Sequence, residues 1–96
     1  MGLFSSISKS RKIKKESEWR LNLNHVMLDL TEDYIRMTTS VTDDIVFFKD
    51  IIFIEQIGKR VNFRTNVKSF SLKSKDSVES AVALHQEIIM KMSQNK

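Results

Sequence analysis

The sequence predicts a mainly β domain with one C-terminal α-helix, on three observations. Apolar and polar residues alternate in several short stretches between residue 19 and residue 72, and a period of two is typical of half-buried strands. From residue 76 onward the apolar residues recur at spacings of three and four, the pattern of an amphipathic helix. No proline is present to interrupt a ladder. We therefore expect six or seven short antiparallel strands in a partly open barrel or sandwich, capped by the helix.

The composition fits one small globular domain. A length of 96 residues leaves little for a second unit, and no apolar run approaches the roughly 18 residues of a membrane span. The absence of cysteine excludes disulfides, thiolate metal sites and thiol nucleophiles, and it suits a reducing compartment. The early apolar residues precede the basic cluster, which is the reverse of a secretory signal. We expect a cytoplasmic protein. Its basic residues suggest that it could also associate peripherally with the inner face of the membrane.

The first strands are predicted from two alternating stretches. Apolar residues occupy every second position over 19–23 and again over 26–30, but the second set is shifted by one residue. A turn or bulge at Asn24-His25 explains the shift, because asparagine tolerates a positive φ angle and a bulge inserts one residue into a ladder. Residues 31–33 then predict a turn, and 34–39 predict the next strand.

The most apolar stretch, residues 45–57, follows a predicted polar loop at 40–44. It is too long for one ordinary strand, and the charged pair Lys49-Asp50 predicts a corner between two strands. Residues 51–54 are all apolar, and a run without alternation is expected where both faces of a strand are covered.

Two further strands and the helix complete the prediction. Gly58-Lys59 predicts a turn before a strand at 60–64, and 68–74 predicts the last strand. Asp76 and Glu79 have the spacing of a capping box, so the helix is predicted to begin there. Its apolar stripe consists of Val78, Ala81, Val82, His85, Ile88, Ile89 and Met92.

A hydrophobic core follows from the inward positions of these elements. In the last two strands, for example, Phe63 and Phe70 alternate with polar residues and are predicted to face inward. The predicted core residues are Trp19, Leu21, Leu23, Val26, Leu28, Ile35, Phe47, Ile51, Ile54, Val61, Phe63, Phe70, Leu72, Val82 and Ile88.

The net charge of +4 is unevenly distributed along the chain. The first fifteen residues hold five of the 16 basic residues and no acid, so the remaining 81 residues carry 11 basic and 12 acidic ones. We predict a basic, flexible leader at 1–16, a folded domain at 17–93 and a short tail at 94–96. Within the domain, the charged residues of 29–55 are mostly acidic, with seven acids against two basic residues. A predicted basic face follows them, made of Lys59, Arg60, Arg64, Lys68, Lys73 and Lys75.

Residues 24–92 resemble the pleckstrin-homology-like (PH-like) superfamily, in its small bacterial and GRAM-type members. The resemblance rests on "VFFKDIIFIE", which is similar to the family's strand, aromatic, Asp-Ile and Ile-Glu pattern, and on the glycine turn, final hairpin and helix at 58–88. It implies a partly open barrel plugged by a C-terminal helix, and a binding module for lipids or proteins. Phosphoinositide-binding members carry many basic residues in the first hairpin, where this chain has only Arg20, so the resemblance implies the fold more than any ligand.

Catalytic patterns are missing from the sequence. His25 and His85 stand alone, with no second ligand at metal-binding spacing, and the two glycines cannot build a phosphate loop or a nucleophile elbow. His85 lies in the apolar stripe of the helix, where a packing role is expected. The adjacent acids Asp43 and Asp44 are typical of a polar loop. We therefore expect no enzyme activity, no cofactor and no metal.

The leader suggests contact with a membrane or a partner. Met1-Gly2 with Ser6 fits the myristoylation pattern M-G-x-x-x-[ST], although this pattern is common by chance. Without a lipid, the apolar residues can still form an edge beside the cations, and such a segment is often disordered in isolation. The predicted contact residues are Leu3, Phe4, Ile7, Lys9, Arg11, Lys12, Lys14 and Lys15.

Together these observations predict a non-enzymatic adaptor. Its domain is expected to contact a protein partner or an anionic membrane surface, with the leader as an auxiliary contact. The alternative is a small nucleic-acid-binding or inhibitory protein that uses the basic face of the strands at 59–75. Alternation argues against a base-stacking platform there, because Phe63 and Phe70 are expected to point into the core.

Overall fold

Seven antiparallel strands and one α-helix make up residues 18–95, the part of the chain that the computed structural model describes. The predicted leader contacts therefore lie outside the described residues. The mainly β fold with a C-terminal helix is confirmed. The elements are β1 (Trp19–Leu21), β2 (Asn24–Leu30), β3 (Tyr34–Thr38), β4 (Asp43–Phe47), a 3-10 turn (Phe48–Asp50), β5 (Phe53–Ile57), β6 (Arg60–Arg64), β7 (Ser69–Ser74) and α1 (Val78–Gln94).

The strands form one sheet in the order β4-β3-β2-β1-β7-β6-β5. The first strand lies between the second and the last, because β1 pairs with both β2 and β7. The sheet curls into a half-barrel whose two edges are β4 and β5, and α1 packs against β5, β6 and β7. The last hairpin and the helix thus enclose the core, while the opposite face of β1, β6 and β7 stays free for surface side chains.

The core lies between the curled sheet and α1. Phe63 and Phe70 stack with their ring centroids 5.3 Å apart, and both are buried as predicted. Leu28 and Ile54 are half-buried and pack against this cluster. The buried apolar residues are Trp19, Leu21, Val26, Ile35, Met37, Val46, Phe48, Ile51, Val61, Phe63, Phe70, Leu72, Ala81, Leu84 and Ile88.

The first turn lies two residues earlier than predicted. It is formed by Asn22 and Leu23, and Asn22 adopts a positive φ of 59°. Leu23 is consequently 88% exposed at the turn, so its predicted place in the core is wrong. A tight turn does explain why the apolar positions shift by one residue between β1 and β2, as the sequence indicated. The prediction simply placed the turn at the wrong asparagine, since either one tolerates this conformation.

The corner after β4 buries a different phenylalanine from the predicted one. Phe48 is 1% exposed, whereas Phe47 is 42% exposed, so the prediction of Phe47 as a core residue is wrong. β4 begins at Asp43, within the predicted polar loop, and places Val46 inward. Phe48 faces inward like Val46, two residues earlier, and the 3-10 turn that begins at Phe48 then ends the alternation, so that Ile51 is the next buried residue. Residues 51–54 are also not covered on both faces, because Ile52 and Phe53 are exposed.

The helix begins with a serine cap instead of the predicted capping box. The Ser77 side chain accepts a hydrogen bond from the Ser80 backbone N–H at 3.2 Å. Asp76 instead accepts the Glu18 backbone N–H at 2.9 Å, which connects the start of β1 to the start of the helix. The buried face of α1 is centred on Ala81, Leu84 and Ile88. Leu84 was missed, while Val78 and Ile89, predicted in the stripe, are exposed.

Candidate functional site

A row of three cations crosses the outer face of the sheet. Arg60 of β6 is paired with Lys73 of β7, and Lys73 is paired with Arg20 of β1. Directly opposite residues in antiparallel strands have Cα atoms about 4.5–5.5 Å apart. The three positions therefore span about 10 Å across three strands. We call Arg20, Lys73 and Arg60 the basic row.

Alternation along each strand points the basic row away from the core. The neighbours of Arg20 are the buried Trp19 and Leu21, and Arg60 precedes the buried Val61. Lys73 follows the buried Leu72. Successive side chains of a strand point to opposite faces, so burial of these apolar neighbours leaves the cations on the surface.

Hydrogen bonds to neutral groups hold two members of the row. An Arg20 Nη1–H donates to the Leu23 carbonyl oxygen at 3.1 Å, and an Arg60 Nη1–H donates to Ser71 Oγ at 3.2 Å. The Ser71 hydroxyl in turn donates to Asn62 Oδ1 at 2.6 Å, and Asn62 Nδ2 donates to Glu55 at 3.0 Å. A chain of polar contacts thus fixes Arg60 without neutralising it directly.

The row has no acidic ion-pair partner within residues 18–95. The two ion pairs in this part of the chain are Arg36–Asp43 and Lys68–Asp44. Like charges directly opposite each other on a sheet destabilise it. An arrangement that keeps three cations adjacent and unpaired is therefore suited to an external anion, which would relieve the repulsion.

The predicted basic face is only partly assembled around the row. Arg60 and Lys73 are direct neighbours, and Arg64 lies on the same face, with its guanidinium 5.2 Å from the centre of the Phe53 ring. Lys59 lies in the turn before β6. The ammonium group of Lys68 contacts Asp44 and the Phe70 ring, away from the row.

The leader joins the domain beside this basic surface. The Lys75 backbone N–H donates to the Glu18 carbonyl oxygen at 2.8 Å, and Arg20 follows Glu18 by two positions. The described part of the chain therefore begins beside Lys75 and Arg20.

Arg36 and Asp43 form a two-point ion pair on the other half of the sheet. Arg36 Nε and Nη2 lie 3.0 and 2.7 Å from the two carboxylate oxygens of Asp43. The hydrogen bond from Arg36 lowers the pKa of Asp43, and the Arg36 pKa is raised by the same contact. The pair neutralises Arg36, so this cation is not available in the way that the basic row is.

Within the described residues, the groups typical of catalysis or metal binding do not converge. No group of three or more His, Asp or Glu side chains in residues 18–95 could hold a metal ion. Asp43 and Asp44 engage Arg36 and Lys68 respectively, instead of sharing a ligand. His25 lies at the end of the basic row, opposite Arg20, and His85 is half-buried on α1. None of the described helices is long and apolar enough to cross a membrane.

Sequence reasoning missed Arg20 as a site residue. Its alternation with Trp19 and Leu21 did indicate an outward side chain. Its position beside Lys73 depends on the pairing of β1 with β7, which no local pattern shows. A pairing of the first strand with the last could have been inferred only from the closure of the predicted barrel.

Comparison with protein-family models, with curated proteins and with solved structures found no match.

Proposed function

We propose that this chain is a non-enzymatic, PH-like binding module that contacts an anionic membrane surface through the basic row, with the leader as an auxiliary contact. The single observation that carries the proposal is the adjacency of Arg20, Lys73 and Arg60 on one open face without an acidic ion-pair partner in the described chain. On this proposal the protein is cytoplasmic and associates peripherally with the inner face of the membrane. The PH-like resemblance supports it, since members of that superfamily mostly bind lipids or proteins.

Exposed apolar side chains at both ends of the row favour a lipid surface. Ile57 of β5 is paired with Arg60 and is 60% exposed. Leu23 provides the carbonyl that Arg20 contacts, and its side chain is almost fully exposed. Interfacial binding to a membrane gains from buried apolar area as well as from charge. Contact with the phosphate backbone of a nucleic acid would bury little of these two aliphatic side chains, so they would add little to the binding free energy.

The same face lacks the aromatic platform of a single-strand nucleic-acid binder. Phe63 and Phe70 are buried against each other, and the exposed Phe53 ring already has the Arg64 guanidinium over it. Base stacking needs free aromatic faces. The geometry therefore supports a lipid surface over the nucleic-acid alternative.

Charge arithmetic indicates how the leader and the row would combine. Each Lys or Arg near an anionic leaflet contributes about 1 kcal/mol of binding free energy, within the Debye length. The five cations of the leader would then add to the three of the row. On this proposal, eight cations would contribute to the binding free energy in place of the three of the basic row.

Co-sedimentation with vesicles tests the proposal in the full chain. The double variant Arg60→Gln, Lys73→Gln should bind phosphatidylserine-containing vesicles about 30-fold more weakly, since two lost contacts correspond to about 2 kcal/mol. The control Lys49→Gln, Lys91→Gln removes the same charge from other places and should bind nearly as the wild type does. Equal losses in the two variants, or equal binding to phosphatidylcholine vesicles, would overturn the proposal.

A mobility shift decides the nucleic-acid alternative. If the protein shifts DNA or RNA at low salt, and if Arg60→Gln, Arg64→Gln, Lys73→Gln removes the shift while vesicle binding is absent, the alternative is correct. A protein with neither activity would point to an acidic protein partner for the same row.

A further inference from the structure

The connections between strands fall at two opposite ends of the sheet. Neighbouring strands are antiparallel throughout the order β4-β3-β2-β1-β7-β6-β5. The connections β1–β2, β3–β4 and β6–β7 therefore lie at one end, and the connections β2–β3 and β5–β6 lie at the other. The first three are residues 22–23, 39–42 and 65–68, and we call them the tip loops.

Each tip loop exposes one aliphatic side chain. Leu23 is 88% exposed, Val41 is 72% exposed and Val67 is 91% exposed, the three highest values among the large apolar side chains of residues 18–95. We call them the tip residues. Ile52 is also exposed and lines one surface depression together with Val67, so the apolar surface at this end extends beyond the loops themselves.

The connections at the opposite end of the sheet are polar. Residues 31–33 and 58–59 consist of threonine, glutamate, aspartate, glycine and lysine, and residues 75–77, between β7 and α1, are lysine, aspartate and serine. Isolated apolar side chains are common on protein surfaces. Three that are concentrated at one end, with none in the connections at the other, indicate an interaction surface.

The acids that begin β4, next to the tip loops, are neutralised within the chain. Arg36 binds Asp43 through two hydrogen bonds, and Lys68 lies 3.1 Å from Asp44. Asp50, in the 3-10 turn, lines the cleft beside the third tip loop and has no ion pair in the described chain. The ends of the loops, and not that cleft, are therefore the part of this region that suits an anionic surface.

Two arginines without an acidic partner flank the tip loops. An Arg20 Nη1–H donates to the Leu23 carbonyl oxygen at 3.1 Å, so this guanidinium lies at the first tip loop. Arg64 ends β6 directly before the third tip loop, and it lines the same depression as Val67. Neither arginine forms an ion pair within residues 18–95. Cations beside exposed aliphatic side chains complement an anionic leaflet, in which charged headgroups lie above hydrocarbon.

We propose that the tip loops enter an anionic lipid leaflet, where the tip residues insert among the acyl chains and Arg20 and Arg64 lie at the level of the headgroup phosphates. The inference rests on the proposed membrane binding and adds the orientation of the domain and the depth of three side chains. Buried apolar area and electrostatic attraction both contribute to such interfacial binding. Because Arg20 belongs to the basic row and also contacts the first tip loop, the row and the tips can meet the same leaflet.

Single fluorescent labels in the full chain test the insertion. The chain has no cysteine, so Leu23→Cys, Val41→Cys and Val67→Cys each give one attachment site for an environment-sensitive fluorophore. Val78→Cys is the matched control, since Val78 is an exposed valine that begins α1 at the opposite end of the sheet. With phosphatidylserine-containing vesicles, the emission at each tip should shift to shorter wavelength and be quenched by spin-labelled acyl chains. The label at Val78 should show neither effect.

The outcomes separate the insertion from the proposed function. If the labelled proteins co-sediment with these vesicles while fewer than three tip labels shift, or while the Val78 label shifts equally, the insertion is wrong and membrane binding stands. Absence of co-sedimentation overturns both. A shift that needs no lipid and grows with protein concentration also overturns the insertion, because a second copy would then cover the tips.

Polar substitutions at the tips provide the second measurement. Replacement of all three tip residues by glutamine should weaken binding to phosphatidylserine-containing vesicles by at least about tenfold. This loss should persist at high salt, since salt screens charges and not apolar burial, whereas the loss in Arg60→Gln, Lys73→Gln should diminish. The control Val78→Gln, Ile89→Gln, Met90→Gln removes three exposed apolar side chains of α1 and should bind nearly as the wild type does. Equal binding by the tip variant and the wild type would refute the insertion.

Discussion

Lys68 Nζ lies 3.1 Å from Asp44 Oδ1 and joins the loop after β6 to the edge strand β4. These strands stand far apart in the sheet order, so the contact forms only because the sheet curls into a half-barrel. Both side chains line a cleft between β4 and the loop of residues 65–68. The ion pair therefore connects the two sides of the half-barrel at its open side, where no backbone hydrogen bonds join β4 to another described strand besides β3.

We predict a small but measurable coupling between Lys68 and Asp44. The Lys68 side chain is more than half exposed and that of Asp44 less so, and ion pairs of this kind contribute about 0.2–1 kcal/mol. A double-mutant cycle with Lys68→Ala and Asp44→Ala, followed by urea denaturation, measures it. The coupling should shrink at high salt. A coupling of zero at low salt would mean that the sheet is closed by packing alone.

Replacement of Phe48 by alanine should destabilise the fold far more than replacement of Phe47. Phe48 is almost fully buried at the corner after β4, and truncation of a buried phenylalanine costs about 3–5 kcal/mol. Phe47 makes an edge contact with Tyr34, with ring centroids 5.5 Å apart, which corresponds to about 0.5–1.5 kcal/mol. Chemical denaturation of the two variants checks this. Similar losses would contradict the burial of the two rings.

These two phenylalanines show where sequence reasoning succeeds and where it stops. The alternation of Val61, Phe63, Phe70 and Leu72 predicted the inward face of the last hairpin correctly, because a regular strand has a strict period. Residues 45–48 are all apolar, so the sequence does not show whether Ile45 and Phe47 or Val46 and Phe48 face inward, and the 3-10 turn at Phe48–Asp50 ends the alternation directly afterwards. Element types were therefore predictable, whereas the residues at corners were not.

The candidate site was predictable only in its local parts. The outward direction of Arg60 and Lys73 followed from alternation on neighbouring strands of one hairpin. Arg20 joins them through a pairing between the first strand and the last, and Lys68 leaves them because it finds Asp44. Both outcomes depend on how the sheet closes, which is a long-range property.

Removal of the helix cap should cost stability at Ser77 specifically. Ser77→Ala deletes the acceptor for the Ser80 N–H, and loss of such a cap costs about 0.5–2 kcal/mol. Ser77→Asp is the matched control, because aspartate caps as well as serine does. Thermal denaturation should show a lower midpoint for the alanine variant alone. A loss of the same size in both variants would indicate that the Ser77 hydroxyl acts through another contact.

Asp43 should remain ionised at a lower pH than an ordinary aspartate. The hydrogen bond from Arg36 lowers its pKa in the folded protein, while in the unfolded chain the value is about 3.9. Its contribution to stability is therefore complete above about pH 4 and is lost as the pH falls through the lower folded value. A carbon-detected NMR titration measures the midpoint directly. Arg36→Gln should return that midpoint toward the ordinary value, and an unchanged midpoint would exclude Arg36 as the cause.

Lys73→Gln should make the domain more stable and, on the proposed function, a weaker membrane binder. Lys73 lies between Arg60 and Arg20 in the basic row, so its removal relieves repulsion worth about 0.2–1 kcal/mol. The gain in unfolding free energy should be largest at low salt. Loss of one lysine contact at an anionic leaflet corresponds to about 1 kcal/mol, or about fivefold weaker binding.

Lys91→Gln, on the helix, is the control with the same change in net charge. It should produce neither the gain in stability nor the loss in vesicle binding. A destabilised Lys73→Gln protein would mean that the lysine packs as a structural residue, and the basic row would then lose its central member as a ligand contact. On the proposed function, Lys73→Gln should raise the free energy of unfolding and weaken vesicle binding. This combination is expected of a site whose adjacent cations repel each other until an external anion compensates their charge.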